Sequence, residues 1–148
     1  MKKVLCILSI LFVILLCACG DATSIGIIGG ADGPTAIIVS DKGDTIMYEQ
    51  ITQEEAKKIM DSGEDFIILD VREQDEYDSG HIPGAILIPY TEIENMAVKT
   101  LPDKDKQILV YCRSGRRSKI AAETLSKLGY ANVKEFGGII DWPYEVEK

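Results

Sequence analysis

The sequence is poor in basic residues relative to acidic ones. It carries 16 lysines and arginines against 24 aspartates and glutamates, which gives a formal net charge of −8. A phosphate backbone needs a basic face, so this balance excludes nucleic acid as an expected partner. Histidine occurs once, and no metal-binding cluster, phosphate-binding glycine loop or pair of catalytic carboxylates stands out. We therefore expect neither a metal nor another bound cofactor.

Cysteine is also scarce, and three of the four cysteines, Cys6, Cys17 and Cys19, lie at the beginning of the chain. Only Cys112 belongs to the long remainder, which therefore cannot form an intramolecular disulfide. A hydrophobic content of 46% in 148 residues is enough for a core and typical of one domain. We expect a monomer by default.

The one long apolar run stands at the N-terminus. It extends from Val4 to Leu16 behind two lysines, which is short for a membrane span and typical of a secretory signal peptide. The residues that follow resemble a bacterial lipobox, Leu16-Cys17-Ala18-Cys19. We predict a signal peptide over residues 1–18, lipidation at Cys19, and attachment by that lipid to the extracytoplasmic face of the cell membrane. An uncleaved anchor helix is the alternative.

A glycine-rich stretch follows the predicted lipidation site. We interpret residues 19–47 as a tether that is flexible or partly strand-like. Residues 24–37 are similar to a segment of the β-subunit of sodium-translocating decarboxylases, in which an aspartate matching Asp32 belongs to the ion pathway. The multi-helix membrane context of those proteins is absent from this sequence, so we carry over no sodium chemistry. The part from Gly29 to Thr35 has no assigned role.

From residue 45 onward, strand patterns alternate with helical ones. The predicted strands are Thr45–Ile51, Phe66–Val71, Ala85–Ile88, Gln107–Tyr111 and Val133–Phe136. The predicted helices are 52–62, 74–78, 91–99 and 118–128. A capping box at Thr52 and Glu55 begins the first of them. The last has an apolar face formed by Ile120, Ala121, Thr124, Leu125 and Leu128. This alternation predicts an α/β fold with a mainly parallel central sheet and helices on both faces.

Cys112 lies where a predicted strand passes into a predicted helix. Backbone N–H groups of such a loop point inward, and the helix dipole adds partial positive charge. Arg113, Arg116 and Arg117 add more, against the acidic sign of the whole chain. These features favour the thiolate, which is the nucleophilic form, and suggest a small anionic substrate. A buried structural cysteine is the alternative.

Three segments in order then resemble the rhodanese-like domain family. The first is Asp70-Val71-Arg72-Glu73 with Glu76-Tyr77, Gly80-His81-Ile82-Pro83-Gly84-Ala85 and Ile88-Pro89. The second is the loop Cys112-Arg113-Ser114-Gly115-Arg116-Arg117-Ser118, and the third is Gly137-Gly138-Ile139-Ile140-Asp141-Trp142. The resemblance covers residues 48–143 and implies a rhodanese-like three-layer domain over residues 48–148.

The resemblance implies sulfur transfer through a persulfide on Cys112. The thiolate would take the outer sulfur of thiosulfate or a related anionic donor and pass it to cyanide, a thiol or a protein acceptor. Backbone N–H groups of residues 113–117, including Ser114 and Gly115, would hold that sulfur. Arg117 is expected to point inward and brace the loop, whereas Arg113 and Arg116 are expected to face the mouth and attract the anion.

Asp70 and Arg72 end a neighbouring strand, where we predict that they pair and support the loop rather than take part in chemistry. A cysteine–histidine dyad would have to use His81, but its glycine- and proline-rich surroundings favour a turn held by imidazole hydrogen bonds. Trp142 is interpreted as a packing residue.

Two other functions are alternatives to sulfur transfer. Cysteine-dependent phosphatases and arsenate reductases occur on related folds, and the phosphatases place an arginine six positions after the cysteine. Here Ser118 occupies that position and Arg117 comes one residue too early, so the loop is sized for sulfur rather than phosphate. The alternative from a different class is an extracytoplasmic sulfur carrier or protein-binding module that does not turn over thiosulfate.

Overall fold

The computed structural model of the protein describes residues 37–39 and 45–148. The predicted signal peptide, the lipidation site at Cys19 and the segment from Gly29 to Thr35 lie outside these residues. Within the described ranges, no helix is long and apolar enough to cross a membrane.

Strands and helices alternate along the described chain. The strands are β1 (Ile37–Val39), β2 (Thr45–Met47), β3 (Glu49–Gln50), β4 (Phe66–Asp70), β5 (Ile86–Leu87), β6 (Gln107–Cys112) and β7 (Val133–Gly138). The α-helices are α1 (Gln53–Asp61), α2 (Gln74–Ser79), α3 (Ile93–Thr100) and α4 (Arg116–Lys127). Short 3-10 helices cover Tyr90–Glu92 and Ile139–Asp141.

Five parallel strands form the central sheet in the order β3-β7-β6-β4-β5. This confirms the predicted α/β fold class. The strand predicted over Thr45–Ile51 is divided in the structure, because β2 pairs with β1 in a separate antiparallel sheet while β3 joins β7. Part of the predicted tether therefore forms strands, and β2 lies against α4.

Strand β6 is buried on both of its faces, which explains its unbroken apolar run. Ile108, Val110 and Cys112 face a core cluster that includes residues of α3 and α4. Leu109 and Tyr111 face a second cluster, to which α1 and α2 contribute and in which Trp142 packs as predicted. The sheet is thus covered by helices on both sides, and Cys112 ends its central strand beneath α4.

Two helix starts show what local sequence does and does not decide. The capping box of α1 is confirmed, since the Glu55 amide donates to the Thr52 hydroxyl and the Thr52 amide donates to the Glu55 carboxylate at 2.7 Å. Helix α4, however, begins at Arg116, two residues before the predicted start. Its buried positions include Ala121, Ala122 and Leu125, whereas Ile120 is 40% exposed, so placing Ile120 on the buried face was wrong.

Candidate active site

The Cys112 thiol lies inside the loop that connects β6 to α4. The backbone N–H of Gly115 points at Sγ and donates to it at 3.1 Å. The residue is 1% exposed and also contacts the apolar cluster on one face of the sheet. Burial alone would fit a structural cysteine, but a structural cysteine needs no amide directed at its sulfur. Of the amides expected to face the sulfur, that of Gly115 is therefore directed inward.

The surroundings of Cys112 act on its ionisation in opposite directions. Burial raises the pKa of the thiol, since it penalises the charged form. Hydrogen bonds from the Ser118 hydroxyl and from the backbone N–H groups of Ser118, Ser114 and Gly115 act the other way and outweigh burial. The net pKa of Cys112 is lowered, so the loop favours the nucleophilic thiolate.

Two glycines give the loop its shape. Gly115 caps α4 with φ of 92°, a left-handed conformation that glycine adopts without the strain of a side chain. This conformation turns the chain directly into the helix and places Arg116 and Arg117 in its first turn rather than in the loop. Gly138 lies against the backbone of Arg113 and Ser114, at a distance that leaves no room for a side chain.

Arg117 braces the start of α4 against α2. Its guanidinium donates to both carboxylate oxygens of Glu76, at 2.6 and 2.8 Å. Chiefly because of these bonds, the pKa of Glu76 is lowered to about 2. Arg117 is also close enough to Cys112 for their charges to interact. The structure therefore places this arginine inward, as the sequence analysis expected.

The other polar residues between Cys112 and Arg117 lie at the surface. Arg113, Ser114 and Arg116 are exposed, whereas Gly115 is buried. The carbonyl of Arg113 accepts a hydrogen bond from the Ile140 amide at 3.1 Å, which ties the loop to the 3-10 helix after β7. Two cationic side chains are thus free to reach solvent beside a loop that holds a buried thiol.

Asp70 and Arg72 form the predicted pair, and both are buried. The Arg72 Nη2 donates to Asp70 at 2.7 Å, and the Nε donates to the same carboxylate. The guanidinium also donates to the Gly80 carbonyl at 2.7 Å, so these bonds brace the turn after α2 rather than the cysteine loop. Nearby, the His81 ring stacks on Tyr77 and its Nδ1 lies 3.1 Å from the Tyr77 carbonyl, in agreement with the predicted turn.

Sequence reasoning missed Glu135. This residue is 3% exposed on β7, and its carboxylate accepts a hydrogen bond of 2.6 Å from the Ser118 hydroxyl, which in turn lies 3.6 Å from the Cys112 Sγ. The signal was available: Glu135 is two residues after Val133 in a predicted strand, so both share one face. An acidic residue on the core face of a strand is uncommon and usually has a specific partner.

No group of three or more histidine, cysteine or acidic residues that could hold a metal ion occurs among residues 45–148. The groups that the structure brings together around the loop are a thiol, backbone amides, a hydroxyl, carboxylates and arginines. Such a set of groups can hold a thiolate and bind a small anion.

Residues 52–143 match the model of the family described as the rhodanese-like domain. The match covers more than half of the chain, so the protein belongs to this family. Proteins of the family in general use a sulfur donor and a thiol acceptor.

Individual relatives carry names that refer to sulfur chemistry. The chain is 40% identical over 99 residues to YrkF of Bacillus subtilis, named as a candidate sulfur carrier protein; this is 66% of the present chain and 52% of YrkF. The chain thus spans about half the length of that relative. It is 41% identical over 73 residues to thiosulfate sulfurtransferase PspE of Escherichia coli, over 49% of this chain and 70% of PspE.

Solved structures give the same fold. A rhodanese with anions from E. coli superposes with a TM-score of 0.53 at 38% identity, covering 55% of this chain and 96% of the other. The Alr3790 protein from Anabaena sp. superposes with a TM-score of 0.61 at 30% identity, covering 66% and 81%.

Proposed function

We propose that the protein is a sulfurtransferase that moves a sulfane sulfur atom through a persulfide on Cys112. The donor is thiosulfate or a similar small anion, and the acceptor is a thiol, cyanide or a protein. The observation that carries this proposal is the Gly115 amide directed at the Cys112 Sγ from within the loop. The names of relatives such as PspE support the same chemistry.

The reaction proceeds by two displacements. The Cys112 thiolate attacks the outer sulfur of thiosulfate, a new S–S bond forms, and the S–S bond of the donor breaks. Its electron pair leaves with sulfite, so that the enzyme holds a persulfide anion. An acceptor thiolate then attacks the terminal sulfur, and the electron pair of the broken bond returns to Cys112. Neither step needs an added oxidant or reductant.

The loop residues have separate roles in this proposal. Gly115 and its neighbouring amides stabilise the negative sulfur, as preorganised dipoles do in other enzymes. The exposed Arg113 and Arg116 attract the anionic donor to the mouth, and the backbone N–H of Ser114 donates to the thiolate. Arg117 supports the loop through Glu76. Asp70 and Arg72 act at a distance by stabilising the fold beside it. The 1% exposure of Cys112 favours a donor as small as thiosulfate.

Intact-protein mass spectrometry tests the proposal directly. Wild-type protein treated with thiosulfate is expected to gain the mass of one sulfur atom, and peptide mapping should locate it on Cys112. Later addition of cyanide should remove that sulfur and yield thiocyanate. Cys112→Ser, which keeps a polar side chain of similar size, is the matched control and should gain nothing.

A different outcome would favour the sulfur-carrier alternative, which the name of YrkF also suggests. If thiosulfate leaves Cys112 unmodified while a persulfidated protein donor loads it, the domain carries sulfur without turning over thiosulfate. If no donor adds sulfur to Cys112, the persulfide chemistry itself is wrong.

We also propose that Cys19 carries a lipid that holds the domain at the extracytoplasmic face of the membrane. The lipobox-like residues before Cys19 support this location. Bacteria that express the full chain and are fed a tagged fatty acid should label the wild-type protein. Cys19→Ala should lose the label, whereas Cys17→Ala should keep it. Equal labelling of wild type and Cys19→Ala would contradict the proposal.

A further inference from the structure

Two buried polar side chains, those of Ser118 and Glu135, lie beside the thiol. Ser118 is fully buried in the first turn of α4, and Glu135 is 3% exposed on β7. The Ser118 Oγ lies 3.6 Å from the Cys112 Sγ and 2.6 Å from the Glu135 Oε1. The hydroxyl therefore stands between a thiol and a carboxylate.

A serine hydroxyl carries one proton, and besides Cys112 three acceptors lie within reach of it: the Glu135 carboxylate, the Gly115 carbonyl at 2.9 Å and the Gly137 carbonyl at 3.4 Å. The shortest contact is with the carboxylate, where a charge-assisted bond is the strongest one. In this state the hydroxyl offers a lone pair to Cys112, and the thiol donates its own proton to the Ser118 Oγ. The result is a continuous path from the Cys112 thiol through Ser118 to Glu135.

The carboxylate is held in place by other bonds. The Gly137 amide donates to its Oε1 at 2.9 Å, and the Gln50 side chain donates to its Oε2 at 3.3 Å. These partners are neutral. Two charged or titratable groups act directly on these residues: Arg117 interacts with the charge of Cys112, and Tyr48 interacts with Glu135. Burial and the charges of Glu123 and Glu135 raise the pKa of Tyr48 to about 12.

A thiolate and an ionised carboxylate this close would repel each other, and burial would strengthen that repulsion. Moving the thiol proton to the carboxylate avoids the conflict, because the cluster then carries one negative charge throughout. The loop amides, which point at Sγ and not at Glu135, stabilise the charge where chemistry needs it.

We propose that Glu135 takes up the proton of the Cys112 thiol through the Ser118 hydroxyl. In this step the S–H bond breaks and its proton passes to the Ser118 Oγ, while the original hydroxyl proton passes to the Glu135 Oε1. The electron pair stays on Sγ, and Ser118 now donates to the thiolate. The proposal deepens the proposed function: the carboxyl group stores the proton while Cys112 is a persulfide and returns it when the acceptor has removed the sulfur.

The thiolate absorbance of full-length protein across pH tests this proposal without any sulfur donor. Subtracting the curve of Cys112→Ser leaves the signal of Cys112 alone. For wild type we expect two steps separated by a plateau, because the shared proton makes the thiolate fraction independent of pH between the two titrations of the pair. For Glu135→Gln we expect a single step, below which the thiolate fraction falls about tenfold for each pH unit.

Ser118→Ala should lower the thiolate fraction on the plateau, because the thiolate loses the hydrogen bond from the hydroxyl and the shared proton moves toward sulfur. Glu123→Gln is the control: it removes one negative charge, as Glu135→Gln does, but from α4, and it should keep the plateau. A single step in wild type, a plateau that persists in Glu135→Gln, or a plateau of unchanged height in Ser118→Ala would overturn the relay. The titration uses no sulfur donor, so it is independent of the sulfur-loading experiment. If wild type shows the plateau but thiosulfate does not load Cys112, the proposed function is contradicted and the relay stands.

Discussion

Gly138→Ala is expected to distort the cysteine loop and to prevent sulfur loading of Cys112. A methyl group at this position would lie 2.5 Å from the Ser114 Cα and closer still to the carbonyl oxygen of Arg113. These are backbone atoms, which cannot swing aside as the end of a flexible side chain can. The loop must move away from β7, and the amides directed at Sγ move with it. The overpacking should also cost about 1–3 kcal/mol of unfolding free energy.

The backbone of Gly138 is extended, with φ of −128°, so its requirement for glycine is purely steric. Gly63→Ala is the matched control: it has left-handed φ of 77° but nothing within 4 Å of the added methyl group. It should lose about 1 kcal/mol from backbone strain and load sulfur normally. Urea unfolding and mass spectrometry give both readouts. Wild-type loading by Gly138→Ala would show that the loop does not depend on this close contact.

Asp70→Asn is expected to destabilise the fold by about 3–5 kcal/mol, because it removes one partner of a buried ion pair. Asparagine has nearly the same shape as aspartate, so packing is retained. The Arg72 guanidinium, 4% exposed, would then be left without its counter-charge. Chemical denaturation followed by circular dichroism measures the loss. Because the pair bonds to Gly80 and not to the loop, folded Asp70→Asn should still load sulfur.

Glu54→Gln is the control for this prediction. Glu54 pairs with Lys58 across one turn of α1, but both side chains are 71% exposed. Solvent screens such a pair, so no measurable loss of stability is expected. If Asp70→Asn is as stable as Glu54→Gln, the buried pair contributes little to stability, and its position beside the turn needs another explanation.

Much of the fold could be predicted because it depends on short-range patterns. The apolar run Gln107–Tyr111 indicates a strand buried on both faces, and the spacing of Thr52 and Glu55 indicates a helix start. The start of α4 was placed two residues late for a local reason. Gly115, in a left-handed conformation, begins the helix at once, and polar residues such as Arg116 and Arg117 give no apolar signal in its first turn.

The site was only partly predictable. The sequence alone determined the α/β alternation, a single thiol in the domain, and arginines beside that thiol, because each depends on residue type and local spacing. Only the tertiary structure decided which distant groups meet the thiol and its loop. Parallel pairing of β6 with β7 brings Glu135 behind Ser118 and Gly138 against the loop, and the packing of α2 brings Glu76 to Arg117. Such contacts depend on strand register and helix packing, which no local stretch of sequence specifies.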